Sequence, residues 1–95
     1  MELKLITKNE LDEFLVSTKG WVIKDNLLEK EFIFNSFANA LSFLLKCGIE
    51  AEKVDHHPDM LLYGWNKVRI SLSTHSLGGI TKNDLILAKQ IDKID

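Results

Sequence analysis

The chain holds three histidines, all within twenty positions: His56 and His57 side by side, and His75 further on. An imidazole changes charge near neutrality, so it can both give and take a proton in one turnover. Pro58 disfavours the helical conformation at His57, so a helix should end here and the two adjacent rings should diverge. One ring can then act on a bound molecule while the other orients it. Asp55 and Asp59 flank the pair, and Glu52 lies one helical turn before His56. Carboxylates so placed set the tautomer and basicity of an imidazole. The plainer reading of the same residues is a solvated helix end with an incidental histidine pair, and His75 as a hydrogen-bonded strand terminus.

Other chemistries fit less well. Three histidines with one open position are an established catalytic zinc set, but no H-E-x-x-H signature is present and no outer partners are evident, so no metal is expected. Gly78-Gly79 lacks the lysine and spacing of a phosphate loop. Tyr63 and Trp65 offer flat rings for a heterocycle, although aromatics in a strand ordinarily belong to the core. Asp84 follows Thr81 by three residues, a spacing that helix capping explains without catalysis. Cys47 lies in an apolar helical run, where a thiol is ordinarily inert.

Composition narrows the class. At 95 residues, 45% hydrophobic, 27% charged and with one proline, the chain reads as a single globular domain over 1–95. Twelve basic against fourteen acidic residues give a net charge of −2, which excludes the footprint of a nonspecific nucleic-acid or anionic-membrane binder. No run is long and apolar enough for a signal peptide or a bilayer span, and a lone cysteine forms no internal disulfide. A reducing, cytoplasmic setting is expected.

The elements that must position the histidines follow from periodicity. Thr7 with Glu10 predicts a capped helix that Gly20 stops. Two extended runs, Trp21 to Lys24 and Leu27 to Phe34, are broken by a turn at Asp25-Asn26. In the second run Lys30 is a polar exception on the side of Leu28, Phe32 and Phe34. Ser36 caps a central helix whose stripe reads Phe37, Ala40, Leu41, Leu44, Leu45, Gly48, Ala51. Ala38, Phe43, Cys47 and Ile49 fall outside that stripe, so the helix needs a second cover, either another subunit or the other helices of the same chain. An apolar stretch from Met60 to Trp65 precedes the clearest strand, Lys67 to Ser73, and Thr81 opens a final helix through Ile94. The expected fold is α+β in the order α-β-β-α-β-β-α, a four-stranded antiparallel sheet with three helices on one face.

The run Glu52-Lys53-Val54-Asp55-His56-His57-Pro58-Asp59, then Trp65, Asn66-Lys67-Val68, Ser73-Thr74-His75 and Asp84, closely resembles the signature of the pterin-4a-carbinolamine dehydratases. Gly20-Trp21 and the series Phe32, Phe34, Phe37 are similar to that family as well. The resemblance implies the same element order, assembly as dimers or tetramers, and dehydration of 4a-hydroxytetrahydropterins formed by aromatic amino acid hydroxylases, without a metal or organic cofactor. It places the catalytic histidines at His56, His57 and His75, supporting carboxylates at Glu52, Asp55 and Asp84, and pterin contacts at His56, His57, Pro58, Thr74, His75, Ser76 and Leu77. It also implies a second role for the fold, since some relatives bind transcription factors through the helical face. Two departures stand out. Tyr63 follows Pro58 after four residues and Trp65 after six, where five is commoner, and Leu77 occupies a position that is often small or polar.

Overall fold

Thr7 starts helix α1 (Lys8–Ser17) through a reciprocal capping box: its hydroxyl accepts from the Glu10 N–H, and the Glu10 carboxylate accepts from the Thr7 N–H. Hydrogen bonding to Thr7, first through that backbone N–H, holds the Glu10 carboxyl below the usual carboxylate range. The computed structural model describes residues 3–94. After α1 come β1 (Val22–Lys24), β2 (Leu27–Ile33), α2 (Phe37–Val54), β3 (Asp59–Tyr63), β4 (Lys67–Leu72), a single 3-10 turn (His75–Leu77) and α3 (Lys82–Asp92). Apart from the 3-10 turn, which the sequence reading missed, this is the expected order. Asp25 and Asn26 both take positive φ, 51° and 64°, the pattern of the tight turns whose twist suits a hairpin.

The strands form one antiparallel sheet in the order β1-β2-β4-β3. Strand β3 pairs from Asp59↔Ser71 to Tyr63↔Lys67. Beyond it lies the hairpin tip, where the Asn66 N–H donates to the Gly64 carbonyl at 2.8 Å across Trp65 at φ 60°. The expected extension of the strand to Trp65 is therefore not observed. Asn66 rejoins the sheet by accepting from the Phe34 N–H at 2.9 Å and donating its side-chain amide to the Phe34 carbonyl at 3.1 Å.

Alternation along β4 places Val68, Ile70 and Leu72 on the core face, fully buried against residues of all three helices. The opposite face carries a polar network, with Ser71 donating to Glu29, Tyr63 to Glu31 and Arg69 to Tyr63, beside the exposed Val22, Ile33 and Leu61. Tyr63 therefore lies outside the core, and Trp65, 60% exposed, does too. Lys30 sits on the core side without a desolvation problem. Its ammonium pairs with Asp92 at 2.7 Å and lies 4.8 Å from the Phe32 ring centre and 5.7 Å from that of Trp21, whose indole N–H also donates to Asp92. Gly20 permits this approach: it has φ 88°, and a Cβ there would meet Lys30 Cε at 3.0 Å.

The stripe expected on α2 is rotated in the structure. Phe43 and Cys47, expected outside it, are core residues, whereas Phe37, Leu41 and Leu45 are exposed. The cause is aromatic: Phe43 packs on Phe32 and Phe34 with ring centres 4.6 and 4.9 Å apart, which turns this side of the helix to the sheet. The stripe read from sequence straddled two surfaces, the sheet contact and a row made of Phe37, Leu41, Leu45 and Ile49. Among the described residues no helix is long and apolar enough to cross a membrane.

Candidate active site

Helix α2 ends at Asp55, which takes the left-handed conformation (φ 50°, ψ 45°) and donates its N–H to the Ala51 and Glu52 carbonyls. The His56 N–H also reaches back to the Ala51 carbonyl, at 3.2 Å. This reversal separates the two histidines. His56 turns inward, its Nε2 2.5 Å from Asp84 Oδ1. His57 turns outward, its Nε2 3.7 Å from Glu52 Oε2 in a loose, exposed pair.

Asp84 is fully buried in the first turn of α3. Its Oδ2 accepts from the Thr81 N–H at 2.8 Å, closing a capping box, and from the Thr74 hydroxyl at 3.0 Å. Thr74 continues the inward row of β4 and is 6% exposed. Its N–H donates to the Gly79 carbonyl at 2.7 Å, and its own carbonyl accepts from Leu77 at 3.0 Å. His75, Ser76 and Leu77 then form the exposed 3-10 turn, which Gly78 closes at φ 66°. His56, Asp84 and Thr74 thus meet in one corner, with His75 next along the chain. Asp84 both caps α3 and bonds His56, one role to each carboxylate oxygen.

Other candidates fall outside this corner. Asp55 shapes the backbone, and its carboxylate has no partner among the described residues. Asp59 begins β3 on the outer face of the sheet, opposite Ser71. Trp65 lies in the turn beyond the far end of that five-residue strand, which spans roughly 14 Å at ~3.4 Å per residue. Among the described residues no three His, Cys, Asp or Glu side chains are grouped to hold a metal ion. A groove of about 400 Å³ between α1 and α3 is lined by residues such as Phe14, Leu85 and Lys89 and by no histidine. The part sequence reasoning missed is the Thr74 hydroxyl. A signal existed, because a polar residue at the end of the buried row Val68, Ile70, Leu72 requires an internal partner.

The family model for pterin 4 alpha carbinolamine dehydratase matches residues 4–94, nearly the whole chain. The chain belongs to the pterin-4a-carbinolamine dehydratase family. It is 46% identical over 92 residues to a Prochlorococcus marinus strain NATL2A protein provisionally named as such a dehydratase, covering 97% of this chain and 96% of the relative. A similarly named protein of Sulfurisphaera tokodaii is 45% identical, with 97% and 98% covered. Among solved structures, a transcriptional coactivator/pterin dehydratase from Brucella melitensis superposes with a TM-score of 0.86 at 32% identity, over 94% of this chain and 96% of that one. A pterin dehydratase-like RuBisCO assembly factor of the alpha-carboxysome gives 0.60 at 27% identity, over 76% and 82%. The pterin dehydratase fold therefore hosts proteins named for other roles.

Proposed function

We propose that this chain dehydrates a 4a-hydroxytetrahydropterin to the quinonoid dihydropterin and water. The observation that carries the reading is His56 held by the buried Asp84, which also takes the hydroxyl of Thr74, the residue before His75, in a chain of the dehydratase family. In the reaction the C4a–O bond breaks as an acid protonates the departing hydroxyl. A base removes the N5 proton, and its bonding pair forms the C4a=N5 double bond. Nothing is oxidised or reduced, so two imidazoles on separate elements suffice, with no cofactor. His56 and His75 form the acid/base pair, and His57 holds the pterin together with Pro58. The segment from Thr74 through Ser76 and Leu77 borders the ring. Asp84 orients His56, Glu52 steadies His57, and Asp55 acts through the backbone reversal it provides. The substrate comes from an aromatic amino acid hydroxylase, and the setting is cytoplasmic.

The test is turnover of freshly generated 4a-hydroxytetrahydropterin, followed by ultraviolet absorbance in metal-free buffer. Acceleration by wild type, cut by roughly 10²–10⁴-fold in His56→Ala and in His75→Ala, is the expected result. No acceleration by folded wild-type protein overturns it.

A second reading, self-association or partner binding through α2, is favoured by one observation: Phe37, Leu41, Leu45 and Ile49 form a row, each 46–68% exposed. Such a row suits a homodimer or homotetramer, and it is separate from the histidine corner. Both activities can therefore reside in one chain.

A further inference from the structure

The buried hydrogen bonds around Asp84 have fixed directions. Its Oδ2 takes the Thr81 N–H and the Thr74 hydroxyl proton. A hydroxyl has one proton, so the 2.7 Å contact between the Thr74 and Thr81 oxygens must be filled by the Thr81 proton. The Thr81 oxygen in turn accepts from the Asn83 N–H at 3.2 Å. Every donor in this buried chain points the same way: Thr81 to Thr74, Thr74 to Asp84. Asp84 is left as an acceptor, with Oδ1 the oxygen that faces His56 Nε2. The neutral imidazole then carries its proton on Nε2, and Nδ1, which has no hydrogen-bond partner among the described residues, keeps its lone pair.

We infer that Thr74 is a positioning residue for His56, acting through Asp84 to fix the imidazole as the Nε2–H tautomer and so to present Nδ1 to the pterin. The inference rests on the dehydratase reading for its consequence in turnover, though not for the tautomer itself. Without the Thr74 hydroxyl, Asp84 Oδ2 keeps one side-chain-orienting bond fewer and the Thr81 proton loses its acceptor. The carboxylate is then free to rotate, and the ring it holds can turn or change tautomer. The hydroxyl of Thr74 is fully engaged inside the chain, so its removal should not change how tightly the pterin is held.

Two measurements test this on the full chain. The first is a two-bond proton–nitrogen correlation spectrum of the imidazoles in 15N-labelled protein, above the pH at which they are charged. Wild type should show His56 protonated at Nε2 and unprotonated at Nδ1; the opposite tautomer overturns the inference, whether or not the protein turns over a pterin. The second compares Thr74→Val with Thr74→Ser. Valine should lower kcat by roughly ten- to a hundredfold with KM little changed and should disturb the His56 signals, and serine should restore both. A raised KM with kcat intact would make the Thr74 hydroxyl itself a pterin-binding group and overturn the positioning role. If Thr74→Val does not fold, Thr74→Ser and the wild-type tautomer still decide.

Discussion

Asp84 shows how one side chain can serve two ends when its two oxygens face different neighbours. Oδ2 belongs to the helix start and Oδ1 to His56, so the group that caps α3 also fixes the histidine relative to the sheet. Cys47 shows the contrasting fate of a reactive residue type. Its thiol is buried among apolar neighbours, and burial, with a smaller push from Glu50, raises its pKa to about 12. The thiolate is the reactive species, so at pH 8 only roughly one molecule in ten thousand carries it. Iodoacetamide at that pH should leave the native protein unmodified by intact mass and add one adduct after unfolding; rapid labelling of the native state would contradict the burial. His56, His57, His75 and Asp84 stood out as candidates through their residue types together with the resemblance to the dehydratase signature. Thr74 was not singled out for its hydroxyl, because threonine is common at strand ends and its meaning lies in a partner ten positions away.

At the scale of elements, the site depends on how α2 stops. Asp55 in the left-handed region permits the reversal that sends His56 inward and His57 outward, and an L-residue with a Cβ is disfavoured there. Asp55→Gly should therefore stabilise the fold by about 0.5–1 kcal/mol, read as a higher urea midpoint with unchanged m-value. A fall in midpoint would mean that the Asp55 carboxylate makes a stabilising contact. Helix starts were legible because caps are local: Thr7, Ser36 and Thr81 each bond within the next three residues. The facing of α2 was not. Its rotation is set by packing on Phe32 and Phe34, and with apolar residues around much of its circumference α2 alone does not show which of them face the sheet. The limit of β3 was hidden for a related reason, since Trp65 looks like a strand residue until the turn at Gly64 is known.

At the scale of the whole molecule, α2 presents an apolar row, Phe37, Leu41, Leu45 and Ile49, that stays exposed. A row of four large apolar side chains related by single helical turns can meet its own copy across a twofold axis. Leu45→Glu should convert an oligomer to a monomer in sedimentation velocity, with the far-ultraviolet circular dichroism of wild type. A monomeric wild type would remove the need for a self-made cover.

The clasp at the other end of the fold joins residues far apart in the chain. Trp21 and Asp92 are 71 positions apart, Lys30 and Asp92 are 62, and His56 and Asp84 are 28. Both aspartates lie on α3, so the last helix locks the first hairpin and also anchors His56. A polypeptide emerging from the ribosome N-terminus first holds all three histidines before it holds the residue that orients one of them. The carboxylate that holds His56 thus arrives only with α3, and chains released before that helix carry the imidazoles without it.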